Sequence, residues 1–228
     1  PILRAKLRDN GLENLYDEIE LPLIPILADI ELTGMKVNGD SLKKFSEYIS
    51  GELESLREKI TNIAGREFNI GSPKQVGEVF GELNIETGKK TATGQVSTSH
   101  DVLVELAETY EIARHIIDYR ELDKLRATYA DALPKMIASD GRVHGALNQT
   151  VAATGRLSST EPNLQNIPVR TELGQQIRRA FIPEPGNKLI SADYSQLELR
   201  ILAHITKDPR MLEAYRNNED IHSQTARL

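Results

Sequence analysis

The chain has 228 residues with a formal net charge of −6, and 39% of its residues are hydrophobic against 27% charged. That balance suits a folded chain with a real core and excludes a disordered one. No apolar run approaches the ~20 residues that cross a bilayer, and no signal peptide opens the sequence. Cysteine is absent, which removes disulfides, zinc ribbons and thiol nucleophiles and fits a reducing compartment. Tryptophan is also absent and aromatics are 5%, so bulk stacking of single-stranded bases is disfavoured. Charge is uneven: residues 1–113 hold 12 Lys/Arg against 20 Asp/Glu, whereas 114–182 hold 10 against 7. A basic middle in an acidic chain permits a polyanionic partner without requiring one. The opening at Pro1 and the stop at Ala226-Arg227-Leu228, without a helix terminator, read as a piece of something longer.

Residues 11–32 are apolar with helical spacing, expected to bend at Pro22 and Pro25 and to end at Gly34. Residues 41–64 carry Leu42, Phe45, Ile49, Leu53, Leu56, Ile60 and Ile63, one continuous helical seam. Ser72-Pro73-Lys74-Gln75 is a helix start, with Ser as N-cap and Pro in the first turn. Lys89, Lys90, Thr91, Thr93 and Gly94 form a small basic loop, either a solvated turn or the tip of an arm reaching across a duplex. A third helix is expected over 99–133, with Leu103, Leu106, Tyr110, Ile117, Leu122, Leu125 and Tyr129 on one face and Pro134 closing it. Its stripe suits an antiparallel pair with the 41–64 helix.

Beyond Pro134 the texture changes. Asp140-Gly141 marks a turn before a strand over 142–151. Residues 154–168 are rich in Gly, Ser, Thr, Pro and Asn and exclude a long helix. A backbone so irregular is expected to face solvent or a polar partner. A short helix over 174–181, a compact apolar strand over 188–192 and helices over 197–205 and 208–215 follow.

Two constellations could carry chemistry. Asp193, directly after the apolar strand, either projects a carboxylate from its tip or caps the helix beginning near Gln196. In the first case the Tyr194 carbonyl adds a second hard oxygen of the kind Mg²⁺ prefers. The other constellation, Thr154-Gly155-Arg156-Leu157-Ser158-Ser159 with Pro162-Asn163-Leu164-Gln165-Asn166-Ile167-Pro168 and Arg170, carries side chains suited to minor-groove acceptors and phosphates.

These two blocks, the second running Asp193-Tyr194-Ser195-Gln196-Leu197-Glu198-Leu199-Arg200, resemble the polymerase domain of the family A DNA polymerases in order and separation. The likeness extends more weakly over almost the whole chain. The fold it implies is α+β: a lead-in helix over 1–34, a helical thumb-like arm over 35–135, an incomplete palm with antiparallel sheet over 136–206, and the start of the fingers over 207–228. The activity it implies is template-directed addition of deoxynucleotides to a primer 3′-hydroxyl, in DNA replication and repair. Asp193 would be catalytic and, with Tyr194, would bind Mg²⁺, two ions serving the intact enzyme. Ser195, Gln196, Glu198 and His222 would line the nucleotide, Glu198 excluding a 2′-hydroxyl. Arg156, Asn163, Gln165, Arg170, Arg120 and Lys124 would meet DNA, Arg156 by testing acceptors in the minor groove. The expected partners are primer-template DNA and deoxynucleoside triphosphates, the expected state a cytoplasmic, nucleoid-associated monomer off the membrane.

The family's second catalytic Asp and its triphosphate-binding fingers residues have no counterpart in the sequence, and no exonuclease pattern occurs. The chain is therefore expected to be inactive alone. A non-catalytic duplex-binding module and a single-subunit RNA polymerase relative are the alternatives. Glu198 counts against the latter, because a small residue there would admit ribonucleotides.

Overall fold

The apolar seam of residues 41–64 forms a single long helix because both of its ends are chemically marked. In the computed structural model, which describes residues 2–88, 96–169, 171–217 and 219–221, α4 spans Gly39–Ala64. Asn38 caps it, its side chain accepting from Ser41 N at 3.0 Å, and Gly65 ends it in the left-handed conformation at φ 73°. Leu42, Phe45, Ile49, Leu53 and Ile60 are buried along one face.

The chain divides into two units, Pro1–Gly186 and Asn187–Leu228. The first opens with α1 (Ile2–Asp9), the one-turn α2 (Glu13–Leu15), a π-helical turn at Tyr16–Glu20 and α3 (Leu21–Thr33). Pro22 and Pro25 are both carried in helical backbone, because α3 continues directly from the π-helical turn with Glu20 and Leu21 in the right-handed helical region. Helix α5 (Pro73–Glu82) starts as expected, with the Ser72 side chain accepting from Gln75 N.

The helix expected over 99–133 is broken. It forms as α6 (His100–Ala107) and α7 (Glu111–Leu125), followed by a π-helical turn at Arg126–Ala130 and a 3₁₀ turn at Leu133–Met136. Ile112 follows Leu103 by nine residues, so at about 100° per residue it would face the opposite side of an unbroken helix. The turn at Glu108–Tyr110, where Tyr110 is extended at φ −115°, lets Leu103, Ile112 and Ile116 all be buried in one core. Helix α7 packs along α4, the expected pairing. The basic loop at Lys89, Lys90, Thr91, Thr93 and Gly94 lies outside the described residues.

At the foot of this helical arm, β1 (Met35–Lys36) pairs antiparallel with β2 (Arg142–Val143). Val37 bridges Phe181 on the other side, and Ile182 N donates to Lys36 O at 3.0 Å. The strand expected over 142–151 splits, because at Gly145 the chain passes tight against the backbone of Thr160 and Pro162. Its second part, β3 (Ala146–Asn148), pairs with β4 (Ser158–Thr160). Helix α8 (Glu172–Arg179) closes this region, with the Thr171 side chain accepting from Gly174 N at 3.1 Å.

Charge locks the foot together. Arg142 donates to Thr33 O at 3.1 Å and Gly34 O at 3.2 Å, and its other amino group reaches Glu184 at 3.0 Å. Lys36 meets the same carboxylate at 2.6 Å. His144 lies between Glu31 O at 2.8 Å and the Asp140 carboxylate at 3.0 Å. Two acceptors on one imidazole favour its charged form, and the Glu31 carbonyl, then Asp140, raise its pKa.

The second unit holds α9 (Leu197–Thr206) and α10 (Pro209–Arg216). Lys207 closes α9 in the left-handed region, and Asp208 caps α10 by accepting from Met211 N at 2.9 Å. The Arg200 guanidinium stacks 4.4 Å over the Tyr215 ring. The strand expected over 188–192 does not form: the segment runs without regular pairing, and Ile190 is 92% exposed. A strand needs a ladder partner, and none lies beside it among the described residues.

Gly34 has φ +59°, and an added Cβ would lie 2.7 Å from both His144 Nδ1 and Val143 O. Gly34→Ala should therefore cost about 2 kcal/mol or more in a urea melt followed by circular dichroism; a loss below about 0.5 kcal/mol would contradict the packing. Lys36, then Arg142, hold the Glu184 carboxyl below its ordinary value of 4.5. A depressed folded pKa gives stability that is present above the unfolded value and is lost as pH falls through the folded one. Glu184→Gln should flatten the acid limb of the urea midpoint below pH 4.5, and an unchanged limb would show that the carboxylate is not coupled to folding.

Candidate nucleic-acid interface and metal-binding segment

Residues 154–168 join a ladder only at Ser158–Thr160, which pairs with β3, and side chains of the segment bond part of the remaining backbone. Ser159 is 2% exposed; its hydroxyl donates to Pro162 O at 3.1 Å and accepts from Leu164 N at 3.2 Å. Asn163 caps the 3₁₀ turn Leu164–Asn166, its Oδ1 accepting from Gln165 N at 3.1 Å. The Gln165 carboxamide accepts from Ser159 N at 3.1 Å and donates to Leu157 O at 2.9 Å. From the helical arm, the buried Tyr129 hydroxyl donates to Asn166 O; burial raises its pKa and keeps it a donor. Most of the segment faces solvent, as expected, with Ser159, Pro162 and Ile167 buried, and side chains supply part of its backbone bonding.

The frame leaves a short basic edge outside. Gly155 turns the chain at φ +75°, and Arg156 follows it, exposed. Asn163 is also exposed, with its side-chain oxygen engaged in the cap. Gln165, expected along a template or nucleotide, is exposed and bonds one donor and one acceptor of its carboxamide into the frame. Arg170 lies outside the described residues.

Arg120 and Lys124 part company. Arg120 turns inward, donating to Thr98 O at 2.7 Å and Ile70 O at 3.2 Å, and burial lowers its pKa. It ties α7 to two loops of the arm while remaining half-buried. Lys124, one turn later, is exposed. Sequence reasoning missed Tyr129 as a tie to the polar frame, since helical spacing showed only a core residue. It also missed Arg178 and Arg179, which α8 presents exposed in its last turn; the signal was a pair of arginines beside the buried Ile177 and Ala180.

In the second unit, Asp193 and Tyr194 are exposed. Asp193 does not cap α9: that N-cap is Gln196, at φ 53°, and it makes no side-chain capping bond. Gln196 instead donates to the Asp220 carboxylate, and Arg200 Nε holds Ser195 O at 2.9 Å. These two bonds fix the turn that carries Ser195. Glu198 lies exposed in the first turn of α9, where the helix dipole favours an anion. His222 lies outside the described residues.

Asp193 and the Tyr194 carbonyl are hard oxygens, the donor type a divalent cation of the Mg²⁺ class takes. Such an ion needs about six oxygens, and no group of three or more His, Cys, Asp or Glu side chains suited to a metal occurs among the described residues. The described residues thus offer part of a ligand set, not a whole one. No helix among them is long and apolar enough to cross a membrane.

Comparison with known proteins agrees along nearly the whole length. A sequence profile described as DNA polymerase family A matches residues 39–228. DNA polymerase I of Bacillus subtilis is 48% identical over 227 residues, which is 98% of this chain and 26% of that protein. DNA polymerase I of Rhizobium leguminosarum is 47% identical over 228 residues, 99% of this chain and 22% of its own length. The chain therefore spans about a quarter of these curated relatives. Among solved structures, the POL domain of Pol1 from M. smegmatis, in complex with DNA primer-template and dNTP, matches with a TM-score of 0.89 at 40% identity, covering 97% of this chain and 39% of that one.

Proposed function

Since the chain belongs to DNA polymerase family A, we propose that it supplies the thumb and part of the palm of a DNA-directed DNA polymerase, one that adds deoxynucleotides to a primer 3′-hydroxyl on a template in replication and repair. The division proposed is a lead-in over residues 1–34, a thumb over 35–135, palm over 136–206 and the beginning of the fingers over 207–228.

The observation that carries this reading is that Arg156 lies exposed beside a polar frame braced through Gln165. A cation presented from a braced loop suits a groove better than a flexible solvated turn would. Its guanidinium can donate to purine N3 or pyrimidine O2 in the minor groove, acceptors common to every correct pair, so it tests pairing without reading sequence. Asn163 and Lys124, both exposed, would add contacts to the duplex, as would Arg170. Ser195, Gln196, Glu198 and His222 would border the deoxynucleoside triphosphate. Asp193 and Tyr194 would contribute oxygens to Mg²⁺, which in a complete site neutralises charge on the transferring phosphate. With only part of the ligand set among the described residues, no step is assigned to the ion. The polymerase would work as a monomer in the cytoplasm.

The chain should bind a fluorescein-labelled primer-template duplex in an anisotropy titration, with affinity falling as salt rises. Arg156→Ala should weaken binding by about 5- to 150-fold, the range for loss of a good groove contact. In the polymerase that carries this chain, Asp193→Ala should abolish primer extension without weakening duplex affinity. Extension that survives this substitution would defeat the assignment of Asp193.

A further inference from the structure

We infer that Gln165 is a positioning residue for Arg156 and not itself a group that touches nucleic acid. The ladder between β3 and β4 ends at the pair Asn148 and Ser158, so Arg156 stands two residues beyond the last paired position. Leu157 O and Ser159 N are neighbouring polar groups on one edge of β4, on either side of Ser158. The Gln165 carboxamide occupies both, donating at 2.9 Å and accepting at 3.1 Å. It thereby replaces the peptide group that an adjoining strand would offer.

Gln165 is itself braced from three directions. Asn163 Oδ1 accepts from its backbone N–H at 3.1 Å. The buried Ser159 hydroxyl accepts from Leu164 N at 3.2 Å. Tyr129 reaches Asn166 O from the arm. The chain of bonds runs from the arm through Asn166 and Gln165 to Leu157, whose neighbour is Arg156. The two bonds take one of the two donors and one of the two acceptor sites of the carboxamide and set its plane against the edge of β4. The contribution of Gln165 is to hold the Arg156 backbone in one register, sparing a groove contact the cost of ordering that segment on binding.

The inference rests on the reading that Arg156 meets DNA, and the test separates the two. The full chain is compared with Gln165→Met, which loses both bonds, and Gln165→Glu, which keeps the acceptor for Ser159 N but sets a carboxylate against Leu157 O. Hydrogen exchange of the Ser159 amide, followed by nuclear magnetic resonance without DNA, should quicken about fivefold in Gln165→Met and little in Gln165→Glu. Affinity for the labelled primer-template duplex should fall about fivefold in Gln165→Met, and that loss should vanish when Arg156 is already Ala. Losses that add in the double variant would mean that Gln165 touches DNA on its own account and would overturn the inference. Unchanged Ser159 exchange would do the same. If Arg156→Ala binds as tightly as the parent chain, the reading of Arg156 fails and takes this inference with it, although Ser159 exchange still responds. Should Gln165→Met not fold, Gln165→Ala, which loses the same two bonds without adding charge, carries the affinity cycle with the same expected and contrary results.

Discussion

Burial of one face of α4 against α7 is the constraint from which the rest of the first unit hangs. Leu42, Phe45, Ile49, Leu53 and Ile60 from α4, with Ile112, Ala113, Ile116 and Tyr119 from α7, lie in one apolar cluster. A fully buried side chain of this kind contributes roughly 1.5–3 kcal/mol, so the seam outweighs any single polar contact nearby. It also requires the break between α6 and α7, because a straight helix would turn Leu103 of α6 away from the core that Ile112 and Ile116 enter. Arg120 then becomes an internal group: the turn that saves the apolar contacts brings two loop carbonyls within its reach.

The polar frame over 157–166 obeys the opposite rule. Its residues bury little apolar surface, so its shape depends on hydrogen bonds made by Ser159, Asn163 and Gln165 to the backbone. Each such bond is modest alone, about 1 kcal/mol net. Their value lies in leaving one conformation in which every buried donor and acceptor is met. The contact between Tyr129 and Asn166 O joins this frame to the helical seam, so a segment with only the short β3–β4 ladder also inherits rigidity from the arm. A cation offered by such a frame is held by structure instead of by its own side-chain order.

At the foot of the arm, electrostatics replaces packing. Glu184 accepts from Lys36 and Arg142 together, and Arg142 also holds the last carbonyls of α3. One guanidinium thus fastens a helix end, a strand and the chain that follows α8. Gly34 permits the close approach, since a side chain there would strike His144 and Val143 O.

Local chemistry in the sequence by itself determined α4 with its buried face, the Ser72 start of α5, the stop at Gly34, the Asp208 cap and the two motif blocks of a family A polymerase. Each of these depends on neighbours within a few residues, so periodicity and capping chemistry reveal it. Only the tertiary structure decided that the 99–133 helix breaks, that Arg120 turns to internal carbonyls, that Gln165 bonds along the edge of β4, and that 188–192 runs without a ladder. Those outcomes rest on partners distant in sequence or on a strand that must lie alongside. A side chain's composition says what bonds it can make, and only the packed chain says which acceptor reaches it first.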